Sequence, residues 1–313
     1  MKRDELAPIV VFGFIRLDTL QQVIKALQNN FLALNSDLII FIDGPRNKND
    51  EIKVQNVRKY CETISGFKSV SLHISEKNKG LDPSVIEGIT QIISKYGKVI
   101  AVEDDIVTTP NFLNYMNQAL DFYRNNPKIM QIGAYGLKIK KPSECIKDTY
   151  IYQRHCSWGW ATWLDRWESI DWQIKDWGLF SKDKKRIAQF NRNGSDMFSM
   201  LKQCMEGGNM WDIRVSYNLF VQNKYVVYPF LSKVYNVGYR ADAIHCKDTY
   251  NRFKIDLDNK LDKDFSFEEK MIENSKIHRQ VYHYHSLMLR CYSVFRRILS
   301  SISSYKHIIN KVC

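Results

Sequence analysis

Apolar residues follow two alternating rhythms along the first 127 positions. Ile9-Val10-Val11-Phe12, Leu38-Ile39-Ile40-Phe41-Ile42, Val70 to Ile74 and Val99-Ile100-Ala101-Val102 are short runs rich in β-branched residues. Such runs predict strands buried on both faces. Between them the spacing turns helical. Leu20, Val23, Ile24 and Leu27 follow Asp18, and Val54, Val57 and Cys61 mark a second helix. Val85, Ile86, Ile89, Ile92 and Ile93 stripe a third up to Gly97. Asp82-Pro83 predicts an N-cap with proline at the first helical position. Thr109-Pro110 predicts the start of another helix, with Phe112, Leu113, Met116 and Leu120 on its core face.

Repeated β-α units of this length predict an α/β fold with a mainly parallel, doubly wound sheet flanked by helices. Ligands of such sheets bind beyond the carboxyl ends of the strands. Arg16, Asp43 and the triplet Glu103-Asp104-Asp105 all stand at such ends. Three adjacent carboxylates repel one another and resist desolvation, a conflict that a divalent cation resolves. Hard oxygen ligands suit Mg²⁺ or Mn²⁺, which also bind substrate phosphates. Were the strand to continue, residues 103 and 105 would share one face and 104 the other. A solvated acidic turn ahead of the helix at Pro110 is the competing reading.

From residue 128 the pattern loosens. Ile129–Ile132 and Tyr150–Tyr152 predict short strands. They give way to the block Ser157-Trp158-Gly159-Trp160-Ala161-Thr162-Trp163, followed by Trp167, Trp172 and Trp177. These tryptophans are expected to form a second small core, with one or two left to line a sugar platform. Ile213 onward reads as a helix. No linker separates the halves, so residues 1–127 and 128–250 are expected to form one unit. Residues 251–313 are expected to form a helical basic extension. Its apolar residues at 294, 295, 298, 299 and 302 stand three or four apart, and no acid follows Glu273. That pattern fits an interfacial helix on an anionic membrane leaflet, or a helix packed back on the body with a basic edge in water.

At 313 residues the chain accommodates one large domain or two small ones. Its net charge of +12 points to polyanionic partners. No nucleic-acid-binding motif accompanies the charge, so nucleotide diphosphates or an anionic membrane surface are expected rather than nucleic acid. Nothing approaches the ~20 apolar residues needed to span a bilayer. The opening residues run straight into a strand without signal-peptide character, which implies a cytoplasmic protein. Seven cysteines without a CxxC pair predict free, mostly buried thiols.

Several of these pieces occur together and in order. They are Val10-Val11-Phe12-Gly13-Phe14-Ile15-Arg16, Ile42-Asp43-Gly44, Val102-Glu103-Asp104-Asp105 with Thr109-Pro110-Asn111-Phe112, Trp158-Gly159-Trp160, Trp211-Asp212, and Pro229 with Ser232, Asn236, Gly238 and His245. In these the chain resembles GT-A glycosyltransferases of the N-acetylglucosaminyltransferase I type and their bacterial relatives from surface-polysaccharide clusters. The resemblance covers residues 8 to about 246, and the residues beyond have no counterpart in it.

The resemblance implies that Arg16 contacts the nucleotide's phosphate or ribose and Asp43 its base. Asp105 would ligate Mn²⁺ or Mg²⁺, while Glu103 and Asp104 would serve ribose, sugar and metal-bound water. Asp212 would be the catalytic base, in competition with a plain helix-capping role. Ser232 to His245 would form a loop that orders over the donor. His245 would be a phosphate contact or further metal ligand, or else an ordinary surface or core histidine. The activity implied is inverting transfer from a nucleotide diphosphate-sugar, with UDP-sugar favoured, to a glycan acceptor. A lipid-linked acceptor would place the enzyme at the inner face of the membrane. A nucleotidyltransferase is the rival enzyme class, disfavoured by the single glycine in Gly13-Phe14-Ile15-Arg16. A non-catalytic basic membrane- or nucleic-acid-binding module would not require carboxylates at strand ends.

Overall fold

The computed structural model describes residues 5–238, 253 and 255–296. The described residues form ten strands: β1 Ile9–Gly13, β2 Asp37–Ile42, β3 Ser69–Ile74, β4 Lys98–Glu103, β5 Ile106–Thr108, β6 Ile129–Gly133, β7 Thr149–Tyr152, β8 Trp160–Trp163, β9 Tyr225–Pro229 and β10 Val234–Asn236. The helices are α1 Leu17–Gln28, α2 Lys48–Glu62, α3 Leu81–Tyr96, α4 Phe112–Tyr123, α5 Leu164–Glu168, α6 Trp177–Phe180, α7 Lys184–Phe190, α8 Met197–Met205, α9 Trp211–Val221 and α10 Ser275–Tyr284. Residues 287–296 are also helical.

The architecture is α/β. One eight-stranded sheet runs in the order β3-β2-β1-β4-β8-β6-β9-β7. The quartet β3-β2-β1-β4 is parallel throughout. Strands β1 and β4, flanked on both sides in the full sheet, bury the apolar runs Ile9–Val11 and Val99–Val102, which is why those stretches read as unbroken. The carboxyl ends of β1 and β4 lie side by side, with Phe12 opposite Glu103. That register brings the start of α1 next to the acidic triplet.

The helix boundaries show two differences from the sequence reading. Helix α3 is capped by Gly80 and starts at Leu81, so Pro83 sits inside the first turn, where its missing N–H costs nothing. Gly97 ends the helix at φ 75°, and its N–H donates to Ile93 O at 2.7 Å. Helix α4 starts at Phe112 rather than at Pro110.

The tryptophans do not form a separate core. Trp160 to Trp163 make β8, which pairs antiparallel with both β4 and β6 and joins the two halves of the sheet. Trp160 stacks on Trp167 at 5.7 Å and meets Trp211 at 5.5 Å, inside the main core. The indole N–H groups of Trp163 and Trp167 donate to Leu120 O and Thr90 Oγ1. A second, smaller core does exist, but on the helices α6 to α9. Phe180, Phe190, Met197, Leu201, Ile213 and Tyr217 fill it, and Trp177 only borders it.

The expected helical tail is present in α10 and residues 287–296, but the segment that leads into it is not helical. Residues 255–273 form an irregular strap before α10 begins. Phe265 and Phe267 pack on Tyr115 of α4. Tyr123 Oη donates to Glu268 O at 2.6 Å, and Asn111 Nδ2 donates to Asp258 Oδ2 at 2.9 Å. Lys233 and Asp258 form a buried ion pair. A charge pair sealed this way is costly to break from one side, so the strap is part of the fold. Among the described cysteines all are free. Cys61 and Cys204 are buried, Cys145 and Cys156 partly so, and Cys291 is exposed. No described helix is long and apolar enough to cross a membrane.

Candidate active site

The acidic triplet does not prolong its strand. Strand β4 ends at Glu103, Asp104 and Asp105 make a turn, and β5 begins at Ile106. The turn cancels the strand alternation, so residues 104 and 105 face the same partner. That partner is Arg16, in the cap position of α1. Its Nη1 donates to Asp105 Oδ2 at 2.8 Å, while Nη2 and Nε engage both oxygens of Asp104. The planar guanidinium fork suits two carboxylates held side by side.

One guanidinium does not balance three acids. Burial is the main cause that lifts Glu103 to about 8, and Asp105 adds to it. A hydrogen bond from Ser157 and the charge of Asp212 also act on Glu103, so these groups converge on one place. Asp104 is raised to about 6, again chiefly by burial, against the pull of Arg16. Burial works against the Arg16 charge, but Asp104 and Asp105 outweigh it and hold the guanidinium above its ordinary pKa. Asp105 Oδ1 is buried and has no hydrogen-bond partner among the described residues. An orphaned carboxylate oxygen in an acid-rich turn fits a hard cation. Among the described residues, no group of three His, Cys, Asp or Glu side chains is arranged as a metal site.

Asp212 lies in the first turn of α9, after the buried Trp211. It is not in the cap position, which is Met210, but the backbone N–H groups of Asp212 and Ile213 act on its carboxylate. Burial raises the Asp212 pKa, and the charge of Arg154 opposes the rise. Arg154 is itself anchored by Asp196 through contacts of 2.7 and 3.1 Å. Asp82, near the start of α3, also acts electrostatically on Asp212. Neither Arg154, Asp196 nor Asp82 was marked by the sequence as a site residue. Asp82 read only as part of a helix cap and the other two lie in segments without a motif, and only the fold brings Arg154 and Asp82 to act on Asp212.

Asp43 stands at the end of β2, at the expected edge, yet its carboxylate is already occupied. Oδ1 and Oδ2 accept from the N–H groups of Gly44, Lys79 and Gly80 and from Asn78 Nδ2. It fixes the loop that leads into α3. Ser232 is fully buried. Its hydroxyl donates to Val234 O at 2.7 Å and accepts from Gly136 N–H at 3.1 Å. It holds the start of a segment that then returns to the triplet. Strand β10 pairs antiparallel with β5, and Val237 N–H donates to Asp105 O at 2.9 Å. Gly238 comes so close that a Cβ there would stand 2.1 Å from Asp105 Oδ2. His245 lies outside the described residues, as does the rest of the expected loop from 239 onward.

An aromatic wall borders the cleft. Trp158 meets Tyr135 edge-on at 4.7 Å and Phe253 at 6.0 Å, next to Ser157. The site is thus a buried, acid-rich cluster at the carboxyl ends of β1 and β4, with one arginine clamp.

No protein-family model matches the chain, and no curated protein matches it in sequence. Among solved structures, S. aureus TarS is similar at 11% identity and a TM-score of 0.43, over 75% of this chain and 37% of that one. The mannosyltransferase PcManGT from Pyrobaculum calidifontis, in complex with GDP-Man and Mn²⁺, is similar at 10% identity and a TM-score of 0.36. That match covers 74% of this chain and 59% of the other. The chain therefore spans less than two thirds of the length of either.

Proposed function

We propose that the protein is a metal-dependent, inverting glycosyltransferase of GT-A type. It would move a hexosyl group from a nucleotide diphosphate-sugar, UDP-sugar favoured, to a glycan acceptor in bacterial surface polysaccharide assembly. The observation that carries this reading is the Arg16 clamp on Asp104 and Asp105, with Asp212 acting on the same cleft. An anionic turn with an orphaned oxygen and an arginine fork suits a diphosphate bridged by a cation. A second buried carboxylate suits the removal of a proton from an acceptor hydroxyl.

Asp105 would hold Mn²⁺ or Mg²⁺ through Oδ1. When bound, the ion would neutralise charge growing on the leaving diphosphate. Arg16 would keep both aspartates in place and offer positive charge to the phosphates. Glu103 and Asp104, their pKa values raised by burial, would hydrogen-bond ribose and sugar hydroxyls. Asp43 would shape the base pocket through residues 78–80 instead of pairing with the base directly. Ser232 would steady the segment that covers Asp105, and His245 would serve as a phosphate or metal contact from the loop beyond. Asp212 would take the acceptor proton. Arg154 keeps it ionisable despite burial, and Trp158 offers an aromatic face to the acceptor sugar. In-line attack opposite the leaving group inverts the anomeric centre. A lipid-linked acceptor would place the reaction at the inner face of the membrane.

Incubation with a panel of nucleotide-sugars and Mn²⁺ tests the reading through release of nucleoside diphosphate. Slow donor hydrolysis with at least one sugar supports it. Release of pyrophosphate from a nucleoside triphosphate would identify a nucleotidyltransferase instead. No turnover and no nucleotide binding would leave a binding module.

A further inference from the structure

The helical residues 287–296 are oriented inside out relative to an ordinary surface helix. Leu287, Met288, Cys291, Tyr292, Val294 and Phe295 are all exposed, Met288 by 70% and Phe295 by 57%. At 3.6 residues per turn these six positions fall on one continuous arc. The opposite arc faces the body. Ser293 is buried there, its Oγ donating back within the helix to Leu289 O at 2.9 Å, and Arg290 Nη1 donates to Ser195 Oγ of the body at 3.3 Å. The apolar arc therefore points away from the molecule. A contiguous apolar patch of this kind on a protein surface marks an interaction site more often than chance.

The charge of the surrounding chain indicates the partner. From residue 274 to 313 the sequence holds seven Lys and Arg and no Asp or Glu, more than half of the net +12. The three- and four-residue apolar spacing continues in sequence through Ile298, Leu299 and Ile302, with Arg297 among them, beyond the described residues. A second copy of the chain is a poor occupant, because it would bring two such basic segments together, and like charges across an interface repel. An anionic lipid surface satisfies both features. It accepts apolar side chains at the acyl boundary and basic ones among the headgroups.

We infer that the C-terminal helix docks this protein on an anionic membrane leaflet through the arc centred on Leu287, Cys291 and Phe295. The inference stands on this helix and its charge, and it does not depend on the chemistry assigned to the cleft.

Flotation of the full chain with phosphatidylcholine vesicles, with and without phosphatidylglycerol, tests it. The protein should float with the phosphatidylglycerol vesicles alone, and added salt should release it. A doubly substituted chain, Met288→Asp with Phe295→Asp, should partition at least about tenfold more weakly. Both positions are exposed, so its thermal melt should match the parent's. Absence of flotation at low salt, or equal flotation of the substituted chain, overturns the inference. So does a concentration-dependent dimer, seen by light scattering, that the same substitutions abolish. No donor is needed in these arms, so their failure is separable from failure of the transfer reading.

Discussion

Substitution of Gly238 probes the cleft with one added methyl group. The built Cβ would stand 2.1 Å from Asp105 Oδ2, 2.8 Å from Asp105 Cγ and 3.0 Å from Asn236 Oδ1. Carbon–oxygen contacts rarely close below about 3.3 Å, so something must move by about 1 Å. The Asp105 oxygen is also bound by Arg16 at 2.8 Å, and moving it strains the clamp. Gly238→Ala should therefore lower turnover on the order of 10²-fold, the usual cost of a 1 Å misplacement of a reacting group. Stability should change far less. Overpacking of about 1–3 kcal/mol is partly offset by the reduced freedom of the unfolded chain, about 0.4–1 kcal/mol. The assay pairs nucleoside diphosphate release from the best donor of the panel with a thermal melt. A rate within twofold of the parent would show that the position of Asp105 does not matter, and the metal assignment would fall with it.

The remaining predictions test separate parts of the site. Asp105→Asn should keep the fold and lose nearly all transfer, since a neutral amide is a poor ligand for a hard dication. Full activity in excess chelator would sink that expectation. Asp212→Asn should retain donor binding, measured by calorimetry, while turnover falls about 10²-fold or more. Retention of the donor's anomeric configuration in the product would rule out the single-displacement scheme. His155 is buried between Trp160 and Trp211, and desolvation pushes its imidazole from 6.5 down to about 3. The unfolded chain then binds the extra proton between those values, so stability falls as pH drops through that window. Between about pH 6.5 and 5 the loss approaches 2 kcal/mol. His155→Gln, though less stable overall, should show a shallower slope in urea melts, and equal slopes would refute the burial argument.

Much of the first half of the molecule was legible because its signals are local. The strands β1, β2 and β4 bury both faces, which demands unbroken apolar runs. Helices α1 and α3 bury one stripe each, which demands three- and four-residue spacing. Asp104 and Asp105 are neighbours in sequence, so their crowding needs no tertiary knowledge. The start of α3 was misplaced because Asp82-Pro83 imitates a cap, while Gly80 supplies the actual turn with its positive φ of 80°.

What only the tertiary structure decided lies where partners are distant in sequence. Nothing local marks Trp160 to Trp163 as the strand that joins the two halves, because β8 takes its place from β4 and β6 on either side. The strap over α4 is irregular chain whose stability comes from Asp258, Phe265 and Phe267 meeting residues 144 to 150 positions earlier. The sequence shows that the C-terminal residues are amphipathic, but a periodic stripe does not say which way it faces. Arg154 and Asp212 are 58 positions apart, and their electrostatic coupling exists only once α9 packs beside the segment after β7, where Gln153 Nε2 donates to Leu219 O and His155 N–H to Ser216 Oγ. Side-chain type and spacing determine which elements form. The distance between charges, and hence their pKa values and chemistry, is set only by the packing of those elements.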